Sequence, residues 1–408
     1  MNTLRIISRI VIGVLFIFSG FTKAIDPVGT GFVMAEYFKA FGLSFFEPLA
    51  VSSGVLQSAV ELALGVAVLI GLRMRLSIIL SMAIMVFFTF FTLGIAIYHP
   101  VSHCGCFGDA IHLTNWATFF KNLIFTPITI FLFVQRKHFV PIAPKMVEWG
   151  LMVLFGFLSI LLSLYCYRHL PMIDFTGFKV GNNIPQAMIV PPEKQSQYET
   201  TFTYKKGSET KTFTIDELPD SSWTYVSAKT KLIKAGAIPA INFFDISTYG
   251  RRKYVTDSIL SIKGYLLVLS VPYADRAHTG AMEKTSALLQ GVPDLPMIAI
   301  SGSDEAQIVD LLRAHGIEIP AYFSNAKTLY TMVRANPGLT LLYDATIVAK
   351  WSAYEVPSSA TVKQLMSRDW EETATKSQIW ARLSAEIFVV GLALLLALLR
   401  FIFRRIYK

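Results

Sequence analysis

Six stretches along the chain are continuously apolar, near residues 6–24, 50–72, 76–98, 115–135, 147–169 and 382–403. Each supplies roughly the 20 apolar residues that a helix needs to cross the hydrocarbon of a bilayer. The first is preceded by Arg5 and Arg9 and ends in the small residues Ser19 and Gly20, as a secretory leader would. Its apolar run is too long for a leader and further apolar helices follow, so it reads as a retained anchor. Between the fifth and sixth stretches lies a polar segment, 171–378, long enough to fold as a domain.

The pattern inside that segment changes period. Tyr198–Tyr204 and Lys211–Ile215 alternate in character around the turn residues Lys205-Lys206-Gly207-Ser208, which predicts a β-hairpin. From residue 237 onward strands and helices alternate. A buried strand is expected at 264–271, a helix at 279–290, a strand at 296–300 and a helix at 304–315. A short strand at 322–323, a helix at 327–334, a hairpin at 339–343 and 346–351, and a helix at 360–368 follow. That succession predicts an α/β layered domain. The expected organisation is a membrane unit over 1–135, a fifth membrane helix within 136–170, a β-rich entry at 171–236, an α/β domain at 237–378, and a last membrane helix with a basic tail at 379–408.

Composition agrees with membrane residence: 53% of residues are hydrophobic and the mean hydropathy is +0.50. The net charge of +9 has a particular location. Segment 171–378 is neutral, with 21 basic and 21 acidic residues, and the remainder holds 16 basic against 7 acidic. Such a distribution argues against a nucleic-acid surface, which would gather charge on the soluble part. The basic residues instead sit in short connections: Arg5 and Arg9, Arg73 and Arg75, Arg136, Lys137 and Lys145, and Arg400, Arg404, Arg405 and Lys408. If the six segments alternate, all four groups share one side, which the positive-inside rule makes cytoplasmic. Both termini would lie on that side, and segment 171–378 on the other.

Chemistry concentrates in Ser102-His103-Cys104-Gly105-Cys106-Phe107-Gly108-Asp109, which holds two of only three cysteines. A single glycine between two cysteines lets the backbone turn tightly enough to bring the thiols together. A ring so small is strained, and strained disulfides are the labile ones. Cys104 and Cys106 are therefore the candidate catalytic pair, with His103 placed to favour a thiolate. His99, His103, His112 and Asp109 raise the question of a metal, but their spacing matches no zinc pattern, and no metal site is assigned. Cys166 closes the fifth apolar segment on the same membrane face; it is either a resolving thiol or a small buried apolar residue. Glu61 is the ionisable residue of the second segment, and an intramembrane carboxylate needs a partner or a task. Lys23, ending the first segment, is the candidate partner; the alternative is a solvated Glu61 near the outer interface.

Ser19-Gly20-Phe21-Thr22-Lys23, Glu61 with Gly65 and Gly71-Leu72-Arg73, and Cys104-Gly105-Cys106-Phe107-Gly108-Asp109 together resemble the DoxX/MauE-like group of small bacterial membrane proteins. That resemblance implies a four-helix membrane core over residues 1–135, a bundle similar to vitamin K epoxide reductase, and a link to periplasmic redox and disulfide metabolism. Unlike those reductases, the chain has no Cys-x-x-Cys within a helix. The order of elements beyond 237 resembles a thioredoxin-like domain tethered to a bacterial envelope. Asn336-Pro337-Gly338 stands where that family carries its cis-proline. Where the family carries Cys-x-x-Cys, this chain has Val271-Pro272-Tyr273-Ala274-Asp275-Arg276-Ala277-His278, and 171–378 contains no cysteine. The resemblance therefore implies a redox-inactive binding platform using Tyr273, Asp275, Arg276, His278 and Pro337.

The expectation is a bacterial inner-membrane protein, an α-helical bundle joined to a soluble thioredoxin-like domain. Its Cys104–Cys106 loop would exchange disulfides with a periplasmic client or redox partner protein, as a thiol-disulfide oxidoreductase does. The alternative is a non-enzymatic scaffold for envelope assembly or secretion, stiffened by a structural disulfide. Membrane lipid is the other expected partner. No cofactor is evident in the residues, with a quinone left open.

Overall fold

The computed structural model describes residues 2–101, 105–111, 113–195, 197–207, 209–234, 236–250 and 253–406. Among them, six helices are long and apolar enough to cross a membrane. These are α1 (Asn2–Ile25), α3 (Ala50–Ile70, extended from Ser44 by a 3-10 turn), α4 (Met74–Tyr98), α5 (Asn115–Gln135), α6 (Lys145–His169) and a long last helix, α13 (Trp370–Ile406). An additional helix, α2 (Pro27–Ala40), follows α1 directly and has no counterpart in the hydropathy reading. Asp26 caps it through a hydrogen bond from Gly29 N (2.8 Å), and Pro27 occupies its first turn.

α1 and α3 make the closest helix pair. A Cβ on Gly65 would stand 2.5 Å from Ile17 N and 2.9 Å from Gly13 O, so hydrogen is the only side chain that fits between the two backbones. Small residues at such crossings are how membrane helices gain packing. Gly65→Val is accordingly expected to push α1 and α3 apart, costing ~1–3 kcal/mol or more. A lower melting temperature of the detergent-solubilised chain would register it; an unchanged one would contradict this packing.

One end of the bundle collects the basic connections. Buried Glu148 accepts from Arg73 N (3.1 Å) and from Ile142 N (3.1 Å), and Arg400 donates to Leu69 O (3.1 Å) and Ile70 O (3.2 Å). The ends of α3, α6 and α13 are thereby tied together.

Beyond the opposite end, residues 171–188, including the short helix α7 (Ile184–Ala187), pack into the α/β domain. Phe178 and Ile184 sit in its core, and Gly181 N donates to Ile347 O (2.7 Å). A three-stranded antiparallel sheet then interrupts the domain: β1 (Gln197–Lys206), β2 (Glu209–Phe213) and β3 (Thr224–Lys234), in the order β2-β1-β3. The expected hairpin is β1–β2, in register Phe202 opposite Phe213. β3 is an extra strand whose polar middle, Ser227-Ala228-Lys229-Thr230-Lys231, hides it.

The domain resumes with α8 (Thr256–Leu260) and the central strand β4 (Tyr265–Val271). Next come α9 (Thr279–Gly291), β5 (Met297–Ser301), α10 (Glu305–Ala314), β6 (Ala321–Phe323), α11 (Ala326–Met332), β7 (Gly338–Tyr343), β8 (Thr346–Trp351) and α12 (Ser359–Met366). The five strands order as β6-β5-β4-β7-β8, the first three parallel and β7 and β8 antiparallel to their neighbours. β4 faces two cores at once. Leu266 and Val268 pack with Phe244 and Leu329, whereas Leu267, Leu269 and Val271 pack with Met282, Leu288 and Val362. A strand buried on both faces reads as a near-continuous apolar run, here Leu266–Leu269 and Val271 with Ser270 between them.

Asp174 fastens the domain's first segment to β8 through Lys350. Burial raises the Asp174 pKa, but the Lys350 charge and hydrogen bonds from Lys350 and Thr176 outweigh it, and the carboxyl ends below its usual value. A lowered folded-state pKa gives stability that is complete above the unfolded value and lost as pH falls through the folded one. Asp174→Asn should therefore flatten the acid side of the melting-temperature profile; an identical profile would contradict the assignment.

Candidate functional site

The site is built where α1, α2, α3 and the cysteine loop meet. Lys23 ends α1 and Glu61 lies mid-way along α3; each is only 3% exposed. Lys23 Nζ stands 2.9 Å from Glu61 Oε2. The same ammonium donates to Ser19 Oγ (2.7 Å) and to the carbonyl of Cys106 (2.6 Å), and Ser19 Oγ donates to that carbonyl as well (2.9 Å). Gln57, one turn before Glu61, donates its Nε2 to Glu61 Oε1 (2.7 Å). A buried ion pair persists only when such further hydrogen bonds offset desolvation. One of those bonds reaches the main chain of the cysteine loop, so the intramembrane charge pair fixes where Cys106 sits.

The loop is held at other points too. Gly105 has φ +63°, and a Cβ there would come within 2.6 Å of Val33 Cγ1 on α2, so glycine satisfies both backbone and space. Phe107 is buried edge-on to Phe18 (5.2 Å between ring centroids), with the Lys121 ammonium 4.2 Å from its ring centre. Asn115 Nδ2 donates to Val101 O (3.1 Å) on the loop's other side. Ser102, His103, Cys104 and His112, all named from sequence, lie outside the described residues, as does the side chain of Asp109. Cys166 is buried among Phe21, Ile25 and Leu62.

Two cavities border Cys106. One, of about 800 Å³, lies among α1–α5 with a mostly apolar lining, and Lys23, Gln57 and Glu61 at its polar end. The other, of about 150 Å³, lies between the cysteine loop, α2 and α11 of the outer domain, and is lined also by Glu36, Lys327 and Arg334.

Arg334, which sequence reading did not single out, joins the two parts of the molecule. Its Nη2 and Nε donate to Asp26 Oδ2 (3.0 and 3.1 Å), both groups being buried. Asp26 thus caps α2 with one oxygen and grips the outer domain with the other. Lys327 pairs with Glu36, and Tyr330 meets Phe32 edge-on (5.3 Å). Burial there raises the Tyr330 pKa. Nothing local marks Asp26 and Arg334 as partners, since 308 residues separate them.

In the outer domain the structure brings the named platform residues together. The Asn336–Pro337 bond is cis. Asn336 Nδ2 donates to Tyr273 O (2.7 Å), and His278 N donates to Asn336 O (3.1 Å). Tyr273 is 39% exposed, with the Arg276 guanidinium 5.4 Å from its ring centre; Arg276 also pairs with Asp275 (3.5 Å). His278 caps α9, its Nδ1 accepting from Ala281 N (3.1 Å).

Residues 1–135 match the family model described as methylamine utilisation protein MauE. The MauE match ends with α5 and takes in Lys23, Glu61, the cysteine loop and the whole lining of the larger cavity. Residues 198–235, essentially the inserted three-stranded sheet, match a domain of unknown function, DUF8463. No curated protein and no solved structure matches the chain. The MauE-matched region and the α/β domain are therefore joined through Asp26 and Arg334 across the boundary of the match.

Proposed function

We propose that this protein exchanges disulfides at the outer face of a bacterial inner membrane, through Cys104 and Cys106. The observation that carries the reading is the hydrogen bonding of Cys106 O to Lys23 and Ser19, which couples the cysteine loop to a buried charge pair and seats it between two cavities. In the exchange, a thiolate attacks a client disulfide, the client's second sulfur leaves as thiolate, and the partner cysteine resolves the mixed disulfide. The basic end of the bundle is cytoplasmic in this reading and the α/β domain periplasmic, an oxidising setting in which disulfides persist.

The strand order β6-β5-β4-β7-β8 with Pro337 beside the Tyr273–His278 loop supports a thioredoxin-like outer domain. Lacking cysteine, it serves to present a client or partner rather than to react. The matched family, methylamine utilisation protein MauE, supports a membrane redox-associated role. The absence of cysteine from 171–378 favours one second reading, a scaffold whose disulfide only stiffens the loop.

The two readings separate by redox cycling. Acid-quenched alkylation in native membranes should find Cys104 and Cys106 reduced during a dithiothreitol pulse and oxidised again after its removal. A pair locked in one state throughout supports the scaffold.

A further inference from the structure

The last helix, α13, leaves a gap beside the foot of the outer domain. At its start, Trp370 stacks on Tyr343 (5.6 Å between ring centroids) and Gln378 Nε2 donates to Val180 O. Farther along, Phe388 stacks on Phe21 (5.3 Å) and Leu396 enters the bundle core. Between the Gln378 and Leu396 attachments a cavity of about 840 Å³ separates α13 from the segment 169–180. That volume is in the range of cavities that hold a small molecule. Its apolar wall includes Met172, Ile173, Val389 and Val390, and the two valines are 52% and 57% exposed, so the cavity is open to lipid.

The cavity lies at the depth of a lipid headgroup. From Arg382 to Arg400, at the basic end of the bundle, a helix rising 1.5 Å per residue spans roughly 27 Å. That is close to the ~30 Å hydrocarbon thickness of a bilayer. Arg382 and Glu386, which line the cavity and pair with each other (2.7 Å), therefore stand at the membrane–water boundary on the domain side.

The charges at this boundary leave one cation over. Lys350 is matched by Asp174, Arg334 by Asp26, His169 by Glu355 and Arg382 by Glu386. Lys179 also lines the cavity and makes no ion pair among the described residues. A phosphodiester carries the single negative charge that balances it, and lysine binds phosphate as a point charge. A zwitterionic headgroup brings its own ammonium and gains less from Lys179. An amphiphile with one net negative charge above an aliphatic tail fits both the charge and the apolar wall.

We propose that this cavity binds one anionic phospholipid from the leaflet beside the α/β domain, with its phosphate at Lys179 and an acyl chain along Val389 and Val390. No cysteine takes part, and the lining lies wholly outside the MauE-matched residues. Arg334, which docks the domain onto α2, also lines this cavity. The lipid thus rests against the joint between the two parts of the molecule.

Photolabelling tests the site. A phosphatidylglycerol carrying a diazirine on one acyl chain is added in trace to phosphatidylcholine nanodiscs holding the full chain, and labelled peptides are mapped. Labels are expected in peptides covering 170–180 and 381–390. Unlabelled phosphatidylglycerol should suppress them at least fivefold more effectively than phosphatidylethanolamine. Lys179→Glu should abolish that preference, while Lys363→Glu, at an exposed lysine outside the cavity, should keep it. Val390→Trp, at an exposed site, should fill the apolar part and lower labelling whichever headgroup is used. Equal competition by the two lipids in the parent protein, parental labelling of Lys179→Glu, or labels confined to other helices overturns the proposal. Soluble glycerol phosphate competing as well as phosphatidylglycerol would mark a free-phosphate site and overturn it too.

Discussion

Lys23→Met is expected to destabilise the protein by about 3–5 kcal/mol, because it leaves the Glu61 carboxylate buried without its cation. It also removes the ammonium that holds Cys106 O, so the cysteine loop should loosen along with the bundle. Glu61→Gln is the milder change, since the ammonium keeps Ser19 and the Cys106 carbonyl as acceptors. Lys23→Met/Glu61→Gln, with neither charge present, should recover a large part of the loss. Melting temperatures of the four detergent-solubilised proteins make a double-mutant cycle that isolates the pair. Additive losses, or a Lys23→Met protein as stable as the parent, would contradict a coupled buried pair.

Arg334→Met should release the outer domain from the membrane bundle. Truncating one partner of a buried, hydrogen-bonded charge pair costs roughly 2–5 kcal/mol, and here that energy is the docking of the domain onto α2. Carbodiimide coupling reports it directly. In the parent protein it should join Lys327 to Glu36, and in Arg334→Met that product should drop at least several-fold. Asp26→Ala should be worse by about 1 kcal/mol, since it also removes the α2 cap. Equal coupling yields in all three proteins would show that the Arg334–Asp26 contact does not hold the domain.

The parts of this architecture that sequence made legible are those with a local signature. Membrane helices announce themselves through length and apolarity, and β4 through the apolar run Leu266-Leu267-Val268-Leu269. Lys23 and Glu61 stood out because each is an isolated charge in an apolar segment, and burial leaves an isolated charge little choice but to find another. α2 escaped because it is only 14 residues long and follows α1 after a single capping residue. β3 escaped because its exposed middle, Lys229-Thr230-Lys231, shows no buried face, its pairing with β1 being visible only in three dimensions. Asp26 and Arg334 are ordinary surface-type residues in their own neighbourhoods, and only the docking of two folded units makes them partners. Gln57 is equally silent in sequence: what distinguishes it is the direction of its amide, which Glu61 sets.

Trapping of mixed disulfides through the cysteine loop tests the central claim most directly. In a Cys166→Ala background, cells carrying Cys106→Ser or Cys104→Ser are quenched in acid, alkylated and resolved without reductant. Disulfide exchange predicts that one of the two single variants accumulates a reductant-sensitive adduct with an envelope protein, and that the double variant accumulates none. No adduct from either single variant, together with full function in the double variant, would contradict it.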